Sequence, residues 1–199
     1  MPGQMDQDQQ LIRLICEGDR EAFSSLYQRH HRSVFTYALH MSGDQQAAED
    51  VMQETFTGLM ESARSYDAER APVIAFLLGI ARNQVLRRLR YEHRYLTLVD
   101  ADVEALSASE NSSQLTIRNE IVETVRKSVL SLPAHYREVV VLCELQEMTY
   151  EEAASVLACP VGTVRSRLNR ARKMLIEKLR LLHGEDAAEA APNSERCYA

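Results

Sequence analysis

The 199-residue sequence contains no tryptophan, only five prolines and only seven glycines. An all-β chain built from many tight turns needs more of the last two than this. Long apolar runs are missing as well: the longest, residues 73–80, includes Gly79 and falls far short of the ~20 residues of a membrane span. Residues 1–8 carry no basic cluster leading into an apolar stretch, so no secretory signal is expected and a cytoplasmic location is the default. The four cysteines, Cys16, Cys143, Cys159 and Cys197, form no Cys-x-x-Cys pair, and no metal or cofactor is expected. Cys16 and Cys143 sit among apolar residues and read as buried free thiols. The six histidines make no His-x-x-x-His pair and the carboxylates no acid–base dyad, so no enzyme is expected; His30, His31 and His40 read as polar helix faces, the first two exposed. Basic residues are outnumbered, 23 Lys plus Arg against 29 Asp plus Glu, for a net charge of −6. A stand-alone, charge-driven nucleic-acid binder is thereby excluded.

What the chain does have is helical patterning and ordinary globular composition, 45% hydrophobic and 26% charged. Periodicity near 3.6 fails only over residues 1–8, 97–114 and 184–199. The middle stretch is acidic and serine-rich, which suits a flexible linker. The expected architecture is therefore all-α, with two small helical domains at 8–96 and 115–183, a linker at 97–114 and a tail at 184–199. In the first domain a short helix ends at Gly18, and Asp19 and Asp44 can cap the second and third. Phe23, Leu26, Tyr27, Val34, Ala38 and Met41 form one buried stripe, and Ala47, Val51, Thr55, Phe56, Leu59 and Ala63 form another. Pro72 suits the first turn of a fourth helix, which begins apolar, with Val73, Phe76, Leu77, Ile80 and Ala81 packing inward, and ends basic. From residue 82 to 94 five arginines face one glutamate, a local charge of +4.

In the second domain helices are expected over 115–130, 134–146, 150–157 and 161–182. Thr149 and Glu152 make a capping box that fixes the start of the third. Pro160 stops that helix and can begin the next. Val164, Leu168, Ala171 and Leu175 then share one face, while Arg165, Ser166, Asn169, Arg170 and Lys173 share another. A short capped helix, a tight turn and a helix with one apolar face and one Arg/Asn/Ser face make a helix-turn-helix. Those side chains can pair with guanine or adenine edges and with phosphates. Residues 160–183 carry +6, so the two basic segments leave −16 to the rest of the chain.

Three stretches of the second half carry a specific resemblance: Leu132-Pro133 through Arg137-Glu138-Val139-Val140, Thr149-Tyr150-Glu151-Glu152-Ala153-Ala154, and Cys159 through Leu168 with Arg170-Ala171-Arg172. They resemble region 4 of the sigma-70 family in its extracytoplasmic-function (ECF) group. Independently, Ala48-Glu49-Asp50-Val51-Met52-Gln53-Glu54-Thr55-Phe56 and Ile80-Ala81-Arg82-Asn83 look like region 2 of that group. The resemblance implies a transcription initiation factor that binds core RNA polymerase and promoter DNA and is held by an anti-sigma partner. It implies further that Asp50, Gln53 and Glu54 face the polymerase, and that Arg82 and Asn83 handle the −10 element. Arg87, Arg88 and Arg90 join these two on charge alone. In the −10 element a base is flipped out at a cost of a few kcal/mol. The −35 element would be read in the major groove by Thr163, Arg165, Ser166, Arg167, Asn169, Arg170 and Lys173. Three positions depart from common patterns: Phe76 stands at a frequent tryptophan, Arg87 at a frequent acid, and Ala158 at the turn glycine of many helix-turn-helix units.

Overall fold

The computed structural model describes the backbone of residues 2–98 and 117–183, with side chains over 7–91 and 122–180. All regular structure among the described residues is helical. The N-terminal block holds α1 (Pro2–Cys16), α2 (Arg20–Ser42), α3 (Gln45–Ser62) and α4 (Val73–Leu98), with a single 3-10 turn at Ala63–Ser65. The C-terminal block holds α5 (Ile117–Leu130), α6 (Ala134–Val140), α7 (Tyr150–Leu157) and α8 (Val161–His183). A π-helical turn, Val141–Leu145, continues α6. The expected linker and tail, apart from residues 97 and 98 at the end of α4, lie outside the described residues, as does Cys197.

Local chemistry sets the helix ends. Asp19 accepts from the Glu21 and Ala22 N–H groups at 2.8 and 3.0 Å, and Asp44 from Ala47 N–H at 2.6 Å. Each takes up donors that a helix start leaves open. The Pro72 carbonyl accepts from Ala75 and Phe76, so α4 starts at Val73. Gly43 ends α2 in the left-handed conformation, φ 78°, with its N–H on the Leu39 carbonyl at 2.8 Å. Its lack of a side chain matters twice, because a Cβ there would lie 2.9 Å from Leu130 Cδ1 in the C-terminal block.

The stripes on α2 and α3 bury, with Leu26, Val34, Ala38, Met41, Val51 and Leu59 fully enclosed, except that Ala48 takes the buried place expected for Ala47, which is half-buried. Phe23 and Tyr27 are half-buried and pack edge-on against Phe56. Two expectations need correction at the N-terminus. Helix α1 begins at Pro2, inside the stretch that lacks apolar periodicity, and it lies against α2. His30 is buried rather than exposed, at 8%, because Asp8 comes down from α1 to meet it with Oδ2 2.8 Å from Nε2. Arg29 also pairs with Asp8. His31 stays half-exposed, stacked on the Tyr27 ring. The cysteines also differ: Cys16 and Cys143 are half-buried, and burial beside Glu144 pushes the Cys143 thiol up to about 11.

The two blocks are not independent. Helix α4 packs against α2 and α3 within its own block and against α7 of the other, while α2 meets α5 and α6. On α4, Ala75, Leu78 and Val85 are buried besides the expected Val73, Leu77 and Ala81, while Phe76 and Ile80 are half-buried. His40, near the end of α2, is half-buried rather than on an open polar face. Burial and the neighbouring Arg126 hold its pKa below the usual histidine range.

Gly43→Ala should cost about 1–2 kcal/mol, the left-handed backbone and the contact with Leu130 together outweighing the gain in the unfolded state, a fall in Tm of about 2–8 °C by calorimetry. The loss should shrink in a Leu130→Ala background, where the added methyl has room. An unchanged Tm would mean that α2 does not end as described.

Candidate nucleic-acid interface

The helix-turn-helix is assembled by local signals. Glu152 N–H donates to Thr149 Oγ1 at 3.2 Å and Thr149 N–H to Glu152 Oε2 at 2.8 Å, the reciprocal capping box at the start of α7. Ala158 then turns the chain in the left-handed conformation, φ 50°, and Cys159 N–H returns to the Ala154 carbonyl at 3.1 Å. Pro160 offers its carbonyl to Thr163 and Val164, which starts α8. Val164, Leu168 and Ala171 are buried, as are Ala153, Val156 and Leu157 of α7, and the two helices pack on each other.

With that face committed, Arg165, Ser166, Asn169, Arg170 and Lys173 are exposed, and Thr163 and Arg167 are half-exposed at the margin. The Arg165 guanidinium lies 5.8 Å from the Tyr150 ring centroid, within cation–π range. Among the described residues no carboxylate pairs with Arg165, Arg170 or Lys173. Arg172 points elsewhere and holds Glu144 at 2.5 Å. The outer face of α8 is therefore a cationic, hydrogen-bonding stripe without counter-ions among the described residues, on a helix packed against α7.

Helix α4 presents a second basic surface in a different condition. Arg88 bridges Asp50 at 3.1 Å and Glu54 at 2.7 Å, and Arg87 reaches Glu54 at 3.1 Å. The residues expected to face polymerase and two of those expected to face the −10 element thus meet along one open groove between α3 and α4, which Gln53 and Gln84 also line. Asn83 is exposed, and Arg90 is exposed with Nε on the Leu86 carbonyl at 3.0 Å. Phe76, at the frequent tryptophan position, is half-buried with its ring 5.4 Å from that of Tyr66.

Arg82 is held by a residue that sequence reasoning did not single out for a role. Its Nε donates to Glu138 Oε1 at 2.7 Å, and its Nη2 lies 3.4 Å from Oε2. Glu138 is 2% exposed and belongs to α6 of the other block. The fully buried Tyr37 hydroxyl is close by, and burial together with the Glu138 charge pushes its pKa up. A signal for Glu138 exists in the sequence: it precedes Val141 and Leu142 by three and four positions, so it stands on a buried stripe. A charge there implies a partner across the interface.

Two basic helices in separate helical blocks, one of them in a helix-turn-helix, define a two-domain DNA-binding protein. Residues 26–95 match the Sigma-70 region 2 family model, and residues 123–175 match that of Sigma-70, region 4. The chain is 32% identical over 186 residues to the RNA polymerase sigma-H factor of Pseudomonas aeruginosa, covering 89% of this chain and 96% of that one. It is also 32% identical over 186 residues to the ECF RNA polymerase sigma-E factor of Escherichia coli, with 88% and 95% covered. Among solved structures it resembles CnrH in complex with the cytosolic domain of CnrY, with a TM-score of 0.66, 26% identity, and 88% and 98% of the two chains covered. The sigma factor RpoE of Bartonella quintana in complex with the anti-sigma factor NepR gives a TM-score of 0.62 at 25% identity, covering 80% and 97%. The chain belongs to the sigma-70 family of RNA polymerase sigma factors, in its ECF group.

Left-handed Ala158 costs roughly 1–2 kcal/mol relative to glycine in the folded chain, against ~0.4–1 kcal/mol gained in the unfolded state. Ala158→Gly should therefore raise stability by up to about 1.6 kcal/mol in a denaturant melt. A clear loss would show that the turn is not strained at this residue.

Proposed function

We propose that residues 8–96 act as region 2 and 115–183 as region 4, joined through 97–114 and followed by a tail at 184–199. Through them the protein binds core RNA polymerase, directs it to promoters with −10 and −35 elements, and answers to an anti-sigma partner. It works in the cytoplasm, by binding and without catalysing a reaction of its own. The carrying observation is the α8 stripe: seven polar or basic side chains along a helix-turn-helix face, with Arg165, Arg170 and Lys173 lacking any carboxylate partner among the described residues.

In this reading α8 lies in the major groove at the −35 element. Arg165, Ser166, Asn169 and Arg170 reach base edges, while Thr163, Arg167 and Lys173 hold phosphates. Arg82 and Asn83, with Arg87, Arg88 and Arg90 beside them, handle the −10 strand. Asp50, Gln53 and Glu54 meet the polymerase. Two of these last three hold Arg87 and Arg88 at 2.7–3.1 Å, so polymerase binding at the carboxylates would release both arginines toward the separated strands. Assembly and DNA engagement are coupled in this way.

In vitro transcription with core polymerase on a random promoter pool tests the function. Start sites that depend on the added chain are expected, and their absence would refute it. Within that assay Arg170→Ala should relax selectivity at one −35 base pair, a loss of ~1–3 kcal/mol of discrimination. Lys173→Ala should instead lower binding evenly across sequences and reduce the salt slope by about one. Equal effects of the two substitutions on every promoter would count against these roles.

A further inference from the structure

Of Arg165, Arg170 and Lys173 on the outer face of α8, only the first has a side-chain partner among the described residues, and that partner is Tyr150 of α7. The two members of this contact are held very differently. Tyr150 is the first residue of α7, and its backbone is fixed between Thr149 and Glu152 of the capping box. Its ring is half-buried against the core. Arg165 is exposed, and among the described residues neither a hydrogen bond nor an ion pair holds its guanidinium. Any ordering in this pair therefore runs from the ring to the cation. Arg172, further along α8, also comes within electrostatic reach of Tyr150, but it is taken up by Glu144 at 2.5 Å, which leaves the ring to Arg165.

An exposed arginine samples many rotamers, and ordering such a side chain at an interface lowers affinity by about two- to tenfold. A cation 5.8 Å from a ring centroid loses part of that freedom before any DNA is bound. The contact engages the face of the ring, and a guanidinium has several N–H donors, so donors remain for a base edge. Arg165 also stands near the N-terminus of α8, the part of a recognition helix that meets base edges.

We propose that Tyr150 is a positioning residue for −35 recognition, its ring holding the Arg165 guanidinium in the orientation in which it meets a base edge. Discrimination at one −35 base pair then depends on a residue outside the recognition helix. Arg170 and Lys173, with no such tether among the described residues, do not depend on the ring. The inference rests on the −35 role proposed above for Arg165.

The test uses the full chain with core polymerase on promoters in which each −35 base pair is varied in turn. Arg165→Ala locates the base pair that Arg165 reads. Tyr150→Leu should lower discrimination at that same pair about two- to tenfold and leave the pair read by Arg170 unchanged. Tyr150→Phe keeps the ring and should stay within about twofold of the original chain. In the Arg165→Ala background Tyr150→Leu should have no further effect at that pair. Fluorinated phenylalanines at position 150 weaken the negative face of the ring while keeping its shape, so discrimination should fall stepwise with added fluorine. That series decides the matter should Tyr150→Leu fail to fold. An equal loss at every −35 pair would reduce Tyr150 to packing and overturn the proposal, as would a fluorinated series without a trend. Arg165→Ala without effect at any pair would remove the reader and positioning roles together, whereas an effect that Tyr150→Leu does not reproduce would overturn the positioning role alone.

Discussion

A carboxylate that is 2% exposed must be answered by a cation, and the arrangement of the molecule follows from how Glu138 is answered. Its partner, Arg82, lies 56 positions away in the other block, next to the fully buried Tyr37. Removing one member of such a pair strands the other, at a typical cost of ~3–5 kcal/mol. Replacing that partner by solvent, as separation of the blocks would, hydrates both charges and costs far less. The contact is thus durable while the two blocks are packed together.

The same logic governs the charge balance. A chain of net charge −6 is poorly suited to holding DNA unaided, yet it carries two basic helices. On α4 three arginines are spoken for: Arg82 by Glu138, and Arg87 and Arg88 by Asp50 and Glu54. On α8 the outer stripe is open, with Arg172 turned aside to Glu144. One basic surface is thus open, and the other is held in ion pairs.

Much of this was legible in the sequence because much of it is local. Asp19, Asp44 and the Thr149–Glu152 box set helix starts through neighbours two or three residues away, so their chemistry can be read without knowing the fold. The α8 stripe follows from a 3.6-residue period, and the buried line of Val164, Leu168 and Ala171 appears where that period puts it. His30 escaped because its burial is decided by Asp8, 22 positions away on a helix whose start has no apolar pattern. The second buried side of α4, with Ala75, Leu78 and Val85, escaped for the same reason: the helix packs against α1, α2, α3 and α7, and nothing within its own pattern announces those neighbours. The pairing of Asp50 and Glu54 with Arg87 and Arg88 crosses from α3 to α4 and could not be inferred from either helix alone.

The buried pair across the two blocks is the constraint on which the arrangement rests, so the distance between the blocks is the quantity to measure. Labels at the exposed positions Ser24 on α2 and Glu177 on α8 would report it by pulsed electron–electron resonance, first in the free chain and then in the complex with core polymerase and promoter DNA. A short, narrow distribution in the free chain, giving way to one longer by tens of ångströms in the complex, is expected. The same distance in both states would contradict it.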